Sequence, residues 1–212
     1  MPSWAEMVEV ARRLGADVPA VPEEDLPKQT TPGGQLPLFA LAATDAIAGN
    51  VEGSERALAF SVPTWGFTAP WNNKLVYNTR IESTDNRMWE EAFMRGRALV
   101  PARAFFEPHA TETWRDSHTG RSRKRSYTFT GSNDGILLLG AVCQEGRASI
   151  VTTEPNASVS PVHHRMPLVL AFEEVGTWLG ESWQTLADRS SISLKTAPER
   201  EAGEAEQLTL FG

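Results

Sequence analysis

The sequence predicts a β-rich α+β domain at residues 1–190, followed by a disordered acidic linker at residues 191–212. Three observations favour this fold class. Most apolar runs are short and end at Gly, Pro or Asn, as strands and their turns do. Helical periodicity is confined to a few segments, and no segment repeats at the period of a solenoid. After Ser190 the chain loses periodicity and becomes polar, as in "APEREAGEAE".

The first predicted element is a helix from Trp4 to Leu14, "WAEMVEVARRL". Its apolar residues recur at helical spacing, Ser3 is a suitable N-cap and Gly15 a suitable stop. A second helix is predicted from Asp85, its cap, to Gly96. Short helical turns are predicted at "EEVGTWLG" and "ESWQTLA".

The other periodic segments are predicted strands. "KLVYNTRIES" alternates apolar and polar residues, and "RALVPARAFFEPH" is typical of a strand interrupted by a proline. The remaining strands, in chain order, are predicted at "QLPLFALAA", "ALAFSVPTWGFTAPW", "SYTFTG", "GILLLGAVCQ", "ASIVTTEPN" and "PLVLAF". Residues 17–34, rich in Pro, Gly and acid, are predicted to form a loop.

Composition excludes several classes of protein. No apolar run is long enough to span a membrane, and the amphipathic N-terminus is unlike a signal peptide. Cys143 is the only cysteine, which excludes an internal disulfide and predicts a cytoplasmic protein. Residues 74–125 hold 11 Lys and Arg against 7 Asp and Glu, while the rest of the chain holds 9 against 20. This basic middle is either a solvated surface or a contact for a phosphate backbone.

Polar side chains at predicted strand ends form the candidate site. They are Asn78 and Arg80 in "YNTRIES", Glu107 in "FFEPH", Thr152 in "IVTTEPN" and His163 in "VHHRMP". A Glu and a His can share proton transfer, and an Arg can hold a phosphate through two hydrogen bonds. Each residue taken singly also fits a structural role, such as a buried ion pair.

Neither a metal site nor a cofactor is expected. His163 and His164 would point to opposite faces of a strand, and no HExxH or CxxC motif is present. Cys143 follows the apolar run "LLLGAV" and is predicted to be a core residue.

Four ordered motifs, "WGFTAPW", "YNTRIES", "RALVPARAFFEPH" and "SPVHHRMPLVL", resemble those of the SOS-response-associated peptidase (SRAP) family. "IVTTEPN" resembles its Thr-Thr-x-x-Asn strand. The resemblance implies an α+β fold with a barrel-like mixed sheet, peripheral helices and a groove for single-stranded DNA. It further implies a nucleoid-associated protein of the DNA damage response that senses abasic sites. In this family the N-terminal cysteine forms a covalent cross-link to the abasic aldehyde.

The resemblance also implies residue roles. Asn78 would orient the nucleophile and the sugar, and Arg80 would hold phosphate. Glu107 and His163 would shuttle protons, with Arg165 in the supporting scaffold and His164 neutral. The expected DNA-lining residues are Trp65, Trp71 and Thr152.

The N-terminus departs from the family pattern because the chain begins Met-Pro-Ser-Trp, and Pro108 replaces the aromatic residue after the motif glutamate. Three interpretations follow. The true start lies upstream with Met-Cys-Gly-Arg, or the protein binds abasic DNA without the thiol. In the third, removal of Met1 exposes Pro2, whose secondary amine forms an iminium with the aldehyde and drives β-elimination.

The last residues, "EAEQLTLFG", fit the Gln-Leu-x-Leu-Phe pattern of peptides that bind the bacterial sliding clamp. The residues in question are Gln207, Leu208, Leu210 and Phe211. The alternative is an ordinary polar end. The resemblance to the SRAP family implies a protein that recognises abasic sites in single-stranded DNA. The competing prediction is a non-catalytic DNA- or clamp-associated binding module, and no nucleophile–base pair for general peptide cleavage is visible.

Overall fold

The computed structural model describes residues 1–16, 26–41, 58–116 and 119–199. The helices in these ranges are α1 (Trp4–Leu14), α2 (Glu90–Arg95) and α3 (Val175–Leu179), with 3-10 helices at Phe172–Glu174 and Trp183–Ala187. The strands are β1 (Leu38–Leu41), β2 (Leu58–Ser61), β3 (Thr64–Trp65), β4 (Phe67–Thr68), β5 (Leu75–Val76), β6 (Asn78–Arg80), β7 (Arg97–Ala102), β8 (Ala104–Arg115), β9 (Ser122–Gly131), β10 (Leu137–Gln144), β11 (Arg147–Thr153), β12 (Met166–Pro167), β13 (Val169–Leu170) and β14 (Leu194–Pro198). No helix in these ranges is long and apolar enough to cross a membrane.

A mixed sheet of nine strands organises the described part of the chain. Its main path runs β12-β11-β10-β7-β1-β2, with antiparallel neighbours throughout. β3 and β6 pair with β11 in parallel, and β13 pairs with β10. The sheet curls strongly into a half-barrel with a few short helices around it. The predicted α+β fold with a barrel-like mixed sheet and peripheral helices is confirmed.

Alternating side chains bury the main sheet on both faces. On β10, Leu138 joins one hydrophobic cluster, while Leu137 and Leu139 join a second cluster on the opposite face. The first cluster includes Met7 and Val10 of α1 and packs the helices against the sheet. Two covered faces explain why the central strands are almost continuously apolar.

The second sheet has the strand order β14-β9-β8. We use "arm" for the β8–β9 hairpin. β14 pairs with β9 from Leu194 opposite Gly131 to Pro198 opposite Tyr127. Residues 194–198 therefore belong to the folded domain, which corrects the linker predicted from residue 191. Pairing with β9 holds this polar segment, and its own periodicity gives no sign of it.

α1 has the predicted bounds. Ser3 and Glu6 form a reciprocal capping box, and Gly15 ends the helix at φ 65°. α2 is shorter than predicted, because Asn86 rather than Asp85 organises the preceding turn. The Asn86 side chain accepts the N–H of Met88 at 3.0 Å, and the Asn86 backbone carbonyl accepts the N–H groups of Trp89 and Glu90.

Two predicted strands are divided in the structure. The segment 74–83 splits at Tyr77, because β5 turns back on β4 whereas β6 runs beside β11. The segment 97–109 breaks at Arg103, while Pro101 lies inside β7. On β7, only Ala98 and Leu99 pair with β1. Pro101 therefore has a neighbouring strand, β10, on one side only, which is an edge-like position that proline tolerates.

Candidate functional site

Glu107 and His163 meet where the arm joins the main sheet. Glu107 lies on β8 opposite Tyr127, and His163 ends the turn that leads into β12. Nδ1 of His163 is 3.5 Å from Oε2 of Glu107, with side chains that are 22% and 15% exposed. The N–H of Ala110 donates to the carbonyl of Val162 at 2.9 Å and ties the arm to this turn.

The imidazole of His163 is held in one orientation. Its Nδ1 lies 2.9 Å from the carbonyl oxygen of Arg165, and its backbone N–H donates to Val159 at 2.9 Å. The backbone N–H of Arg165 lies 3.3 Å from the same ring nitrogen, so both backbone groups of Arg165 hold the ring in place. These contacts occupy Nδ1 and leave Nε2 as the ring nitrogen available to a reactant.

Burial raises the pKa of Glu107, and the charge of His163 opposes this with a smaller effect. A carboxyl group in this setting keeps its proton to a higher pH than an exposed glutamate. A carboxyl group with a raised pKa beside an imidazole is an arrangement suited to general acid–base chemistry.

Arg165 joins the ends of three segments next to this pair. Its guanidinium forms a bidentate pair with Glu82, at 2.8 and 3.0 Å, and contacts Glu154 at 2.6 Å. It also donates to the carbonyl of Thr152 at 2.9 Å. The Arg165 side chain is only 10% exposed, so these bonds fix the ends of β6 and β11 relative to His163. The predicted scaffold role of Arg165 fits these contacts.

Within this network the pKa of Glu82 is shifted. Burial acts to raise the pKa of Glu82, but hydrogen bonding to Arg165 and to its own backbone, with the charges of Arg165 and Arg80, lowers it overall. The Glu82 carboxylate therefore stays ionised at lower pH than an ordinary glutamate does. This carboxylate is absent from the predicted site, because its partner lies 83 positions away along the chain.

β6 presents Asn78 and Arg80 to solvent beside β11. Both are exposed, while Thr79 between them is buried, as strand alternation requires. Thr152 lies beside Arg80 in the register, but it is 5% exposed and its hydroxyl donates to the carbonyl of Thr79 at 3.1 Å. The predicted place of Thr152 on the DNA-lining surface is therefore wrong. Its side chain has turned inward to tie β11 to β6.

Of the predicted DNA-lining aromatics, one lies just before the β4–β5 hairpin and the other lies in its loop. Trp65 is partly buried, donates from Nε1 to the carbonyl of Tyr77 at 2.8 Å and meets the Tyr77 ring edge-on. Trp71 lies in the hairpin loop and is 64% exposed. Gly66 allows the chain to fold back here. Its φ is 123°, and an added Cβ would lie 2.5 Å from the side chain of Leu75.

Pro2 lies in the interior, directly before α1. The amine of Met1 donates to the carbonyl of Lys28 and packs near the Arg103–Glu6 ion pair, which is 2.6 Å long. Burial and the charge of Arg103 lower the pKa of this amine, against an opposing effect of Glu6. With Met1 in place the nitrogen of Pro2 is an amide and cannot attack a carbonyl.

The other residues considered in the sequence are Cys143, His164 and the predicted clamp-binding residues. Burial raises the pKa of Cys143, which lies on β10 as a thiol. The ring of His164 contacts that of His163 at a tilt of 47°, with centroids 4.5 Å apart. No group of three metal-ligating side chains occurs within the described ranges. The predicted clamp-binding residues 207–211 lie outside those ranges.

Comparison with known proteins places the chain in one family. Residues 9–207 match the family model described as SOS response associated peptidase (SRAP). The abasic site processing protein YoaM of Bacillus subtilis (strain 168) is 29% identical over 135 residues. That alignment covers 54% of each chain, so this chain spans about half the length of that relative.

Two solved structures from Bordetella bronchiseptica share the fold, each with a TM-score of 0.63. One, described as a phage-related protein, is 20% identical and is matched over 94% of this chain and 92% of its own. The other is 16% identical over 91% of this chain and 95% of its own. With the family model matched over most of its length, this chain belongs to the SRAP family.

Proposed function

We propose that this chain recognises abasic sites in single-stranded DNA and acts on them at the Glu107–His163 pair. The observation that carries the proposal is the pair itself, a shielded carboxyl with a raised pKa beside an oriented imidazole. The homology to a protein named for abasic site processing supports the choice of substrate. Exposed Asn78 and Arg80 would then meet the sugar and its phosphate.

The pair suits the chemistry of the ring-opened abasic sugar, which presents an aldehyde at C1′. An amine that attacks this carbon forms a C–N bond as the C=O π bond breaks, and the oxygen takes a proton. The resulting carbinolamine loses its hydroxyl as water when that oxygen is protonated again, and an imine or iminium forms. Glu107 is assigned as the proton donor and His163 as the acceptor of the proton that the amine releases.

The proposed attacking group is the N-terminal amine, since Cys143 lies within a sheet as a thiol. For Pro2 to react, Met1 must be removed and the ring nitrogen must reach solvent. The buried position of Pro2 instead favours a second candidate, a binding module that recognises the abasic site without covalent chemistry. The two candidates share the site and differ only in the product.

Incubation with abasic single-stranded DNA, with and without borohydride, separates them. A reacting N-terminus gives an adduct or a cleaved strand. Glu107→Gln and His163→Ala are then expected to slow its formation by about 10²- to 10⁴-fold. His164→Ala is the matched control and should react like the unmodified protein. If His163→Ala reacts at the normal rate, the assigned proton transfer is wrong, whereas tight binding without any product leaves the binding module.

A further inference from the structure

The outer half of the arm is strongly basic. Residues 112–116 and 119–125 hold five Lys and Arg against two acids, in a chain with a net charge of -7. The cations are Arg115, Arg121, Arg123, Lys124 and Arg125, and the acids are Glu112 and Asp116. This concentration of positive charge lies outside the set of residues assigned to the Glu107–His163 site.

The two acids neutralise only part of this charge. Asp116 lies 3.2 Å from Arg123, and Glu112 lies 3.4 Å from Arg125. Arg121 and Lys124 are exposed, and no acidic side chain of the described residues lies within salt-bridge distance of either. Two cations at the end of the arm are therefore available to an outside anion.

One face of the arm runs from the candidate site toward Arg121, whereas Lys124, one position from Arg123 on β9, lies on the opposite face. The rings of Phe105 and Phe129 stack in the core with their centroids 4.9 Å apart. Two residues further along β8, Glu107 lies opposite Tyr127. Beyond the irregularity in β8, Trp114 lies opposite Arg123. Because β9 residues two apart share a face, Tyr127, Arg125 and Arg123 lie on the same side as Glu107.

This face has the composition of a surface that binds single strands. Single-stranded nucleic acids are held by cations that follow the backbone and by aromatic side chains on which bases stack. Here the two aromatics, Tyr127 and Trp114, alternate with Arg125 and Arg123. From Tyr127 to Arg121 the arm extends about 20 Å at 3.3 Å per residue, the span of a few nucleotides.

We infer that the outer arm is a second DNA-binding site, which holds the phosphate backbone of the single strand flanking the abasic nucleotide. The inference rests on the proposed function, because it takes the Glu107–His163 pair as the position of that nucleotide. Arg121 and Lys124, on the two sides of the arm near its outer end, contact phosphates as the strand passes that end, while Trp114 and Tyr127 support the bases between the end of the arm and the site.

The test measures the affinity of the full chain for abasic single-stranded DNA as a function of salt. The variant is Arg121→Ala/Lys124→Ala. The control is Arg12→Ala/Lys195→Ala, which removes the same charge from α1 and from β14 at the base of the arm's own sheet. Thermal unfolding of both variants confirms that the fold is retained.

The arm variant should reduce the slope of log affinity against log salt by about 1.4, or about 0.7 for each lost phosphate contact. If the affinities of the variant and the unmodified protein extrapolate to the same value at 1 M salt, this change in slope corresponds to about 25-fold weaker binding by the variant at 0.1 M salt. The effect should appear with a long oligonucleotide and vanish with a short one that covers only the abasic site. The control should leave the slope unchanged.

An unchanged slope in the arm variant, or an equal fall in the control, overturns the inference. Failure of the proposed function has a different signature. In that case the unmodified protein binds intact and abasic strands equally well. The salt slope and the preference for abasic DNA are measured independently, so each proposal fails by its own result.

Discussion

Arg165→Ala is the substitution with the largest structural consequence near the site. It removes the bidentate pair with Glu82, the contact with Glu154 and the hydrogen bond to the carbonyl of Thr152. These bonds hold the ends of β6 and β11 together. The variant should therefore lose stability and also loosen the surroundings of His163.

The three contacts contribute unequally because their exposure differs. The hydrogen bond to Thr152 is buried and links a charged donor to a carbonyl, which is worth about 1.5–3 kcal/mol. Glu82 is 51% exposed and Glu154 is 81% exposed, so both regain water when Arg165 is removed. Screening by solvent limits these two pairs to about 1 kcal/mol together. The expected loss is about 2–4 kcal/mol, a fall in Tm of roughly 5–15 °C for a domain of this size.

The assay is thermal and urea unfolding of Arg165→Ala, Glu82→Gln and the double variant at neutral pH. Because the pKa of Glu82 is lowered in the folded state, the pair stabilises above the ordinary carboxyl pKa and is lost as pH falls through the lowered value. The two changes should couple by about 0.5–1 kcal/mol. A loss below about 0.5 kcal/mol for Arg165→Ala, or strict additivity with Glu82→Gln, would refute the reasoning.

Three further results are expected. Burial raises the pKa of Glu107, so the folded protein loses stability as pH rises from the ordinary carboxyl pKa to the raised one. The free energy of unfolding of Glu107→Gln, measured with urea, should therefore increase relative to that of the unmodified protein over that interval. A difference between the two proteins that stays constant with pH would contradict this. Trp71→Ala should weaken single-strand binding by about 1–3 kcal/mol without lowering Tm, while Met94→Ala, equally exposed, should change neither. Deleting residues 207–212 should abolish pull-down of the sliding clamp and spare DNA binding; unchanged clamp binding would remove the tail hypothesis.

Local patterns predicted most elements of the fold. Ser3 as N-cap and Gly15 as stop predicted the bounds of α1, and alternation correctly placed Asn78 and Arg80 on an exposed strand face. The motifs also predicted that Glu107 and His163 act together in proton transfer, and the two side chains lie 3.5 Å apart. These features depend on residues that are close in sequence or on motif spacing.

Contacts between distant segments were beyond the sequence. Nothing local indicates that Arg165 meets Glu82, that Thr152 turns inward to Thr79, or that the 194–198 segment completes the arm's sheet. Each depends on the register between strands, which is set by how the curled sheet closes. The basic arm was visible as charge, but its continuity with Glu107 requires the pairing of β8 with β9.

The most direct test of the central claim is a competition between abasic and intact single-stranded oligonucleotides of one sequence. The unmodified protein should bind the abasic strand more tightly, and His163→Ala should lose that preference while His164→Ala keeps it. Equal affinity of the unmodified protein for the two strands would contradict the assignment of the Glu107–His163 pair to abasic-site recognition.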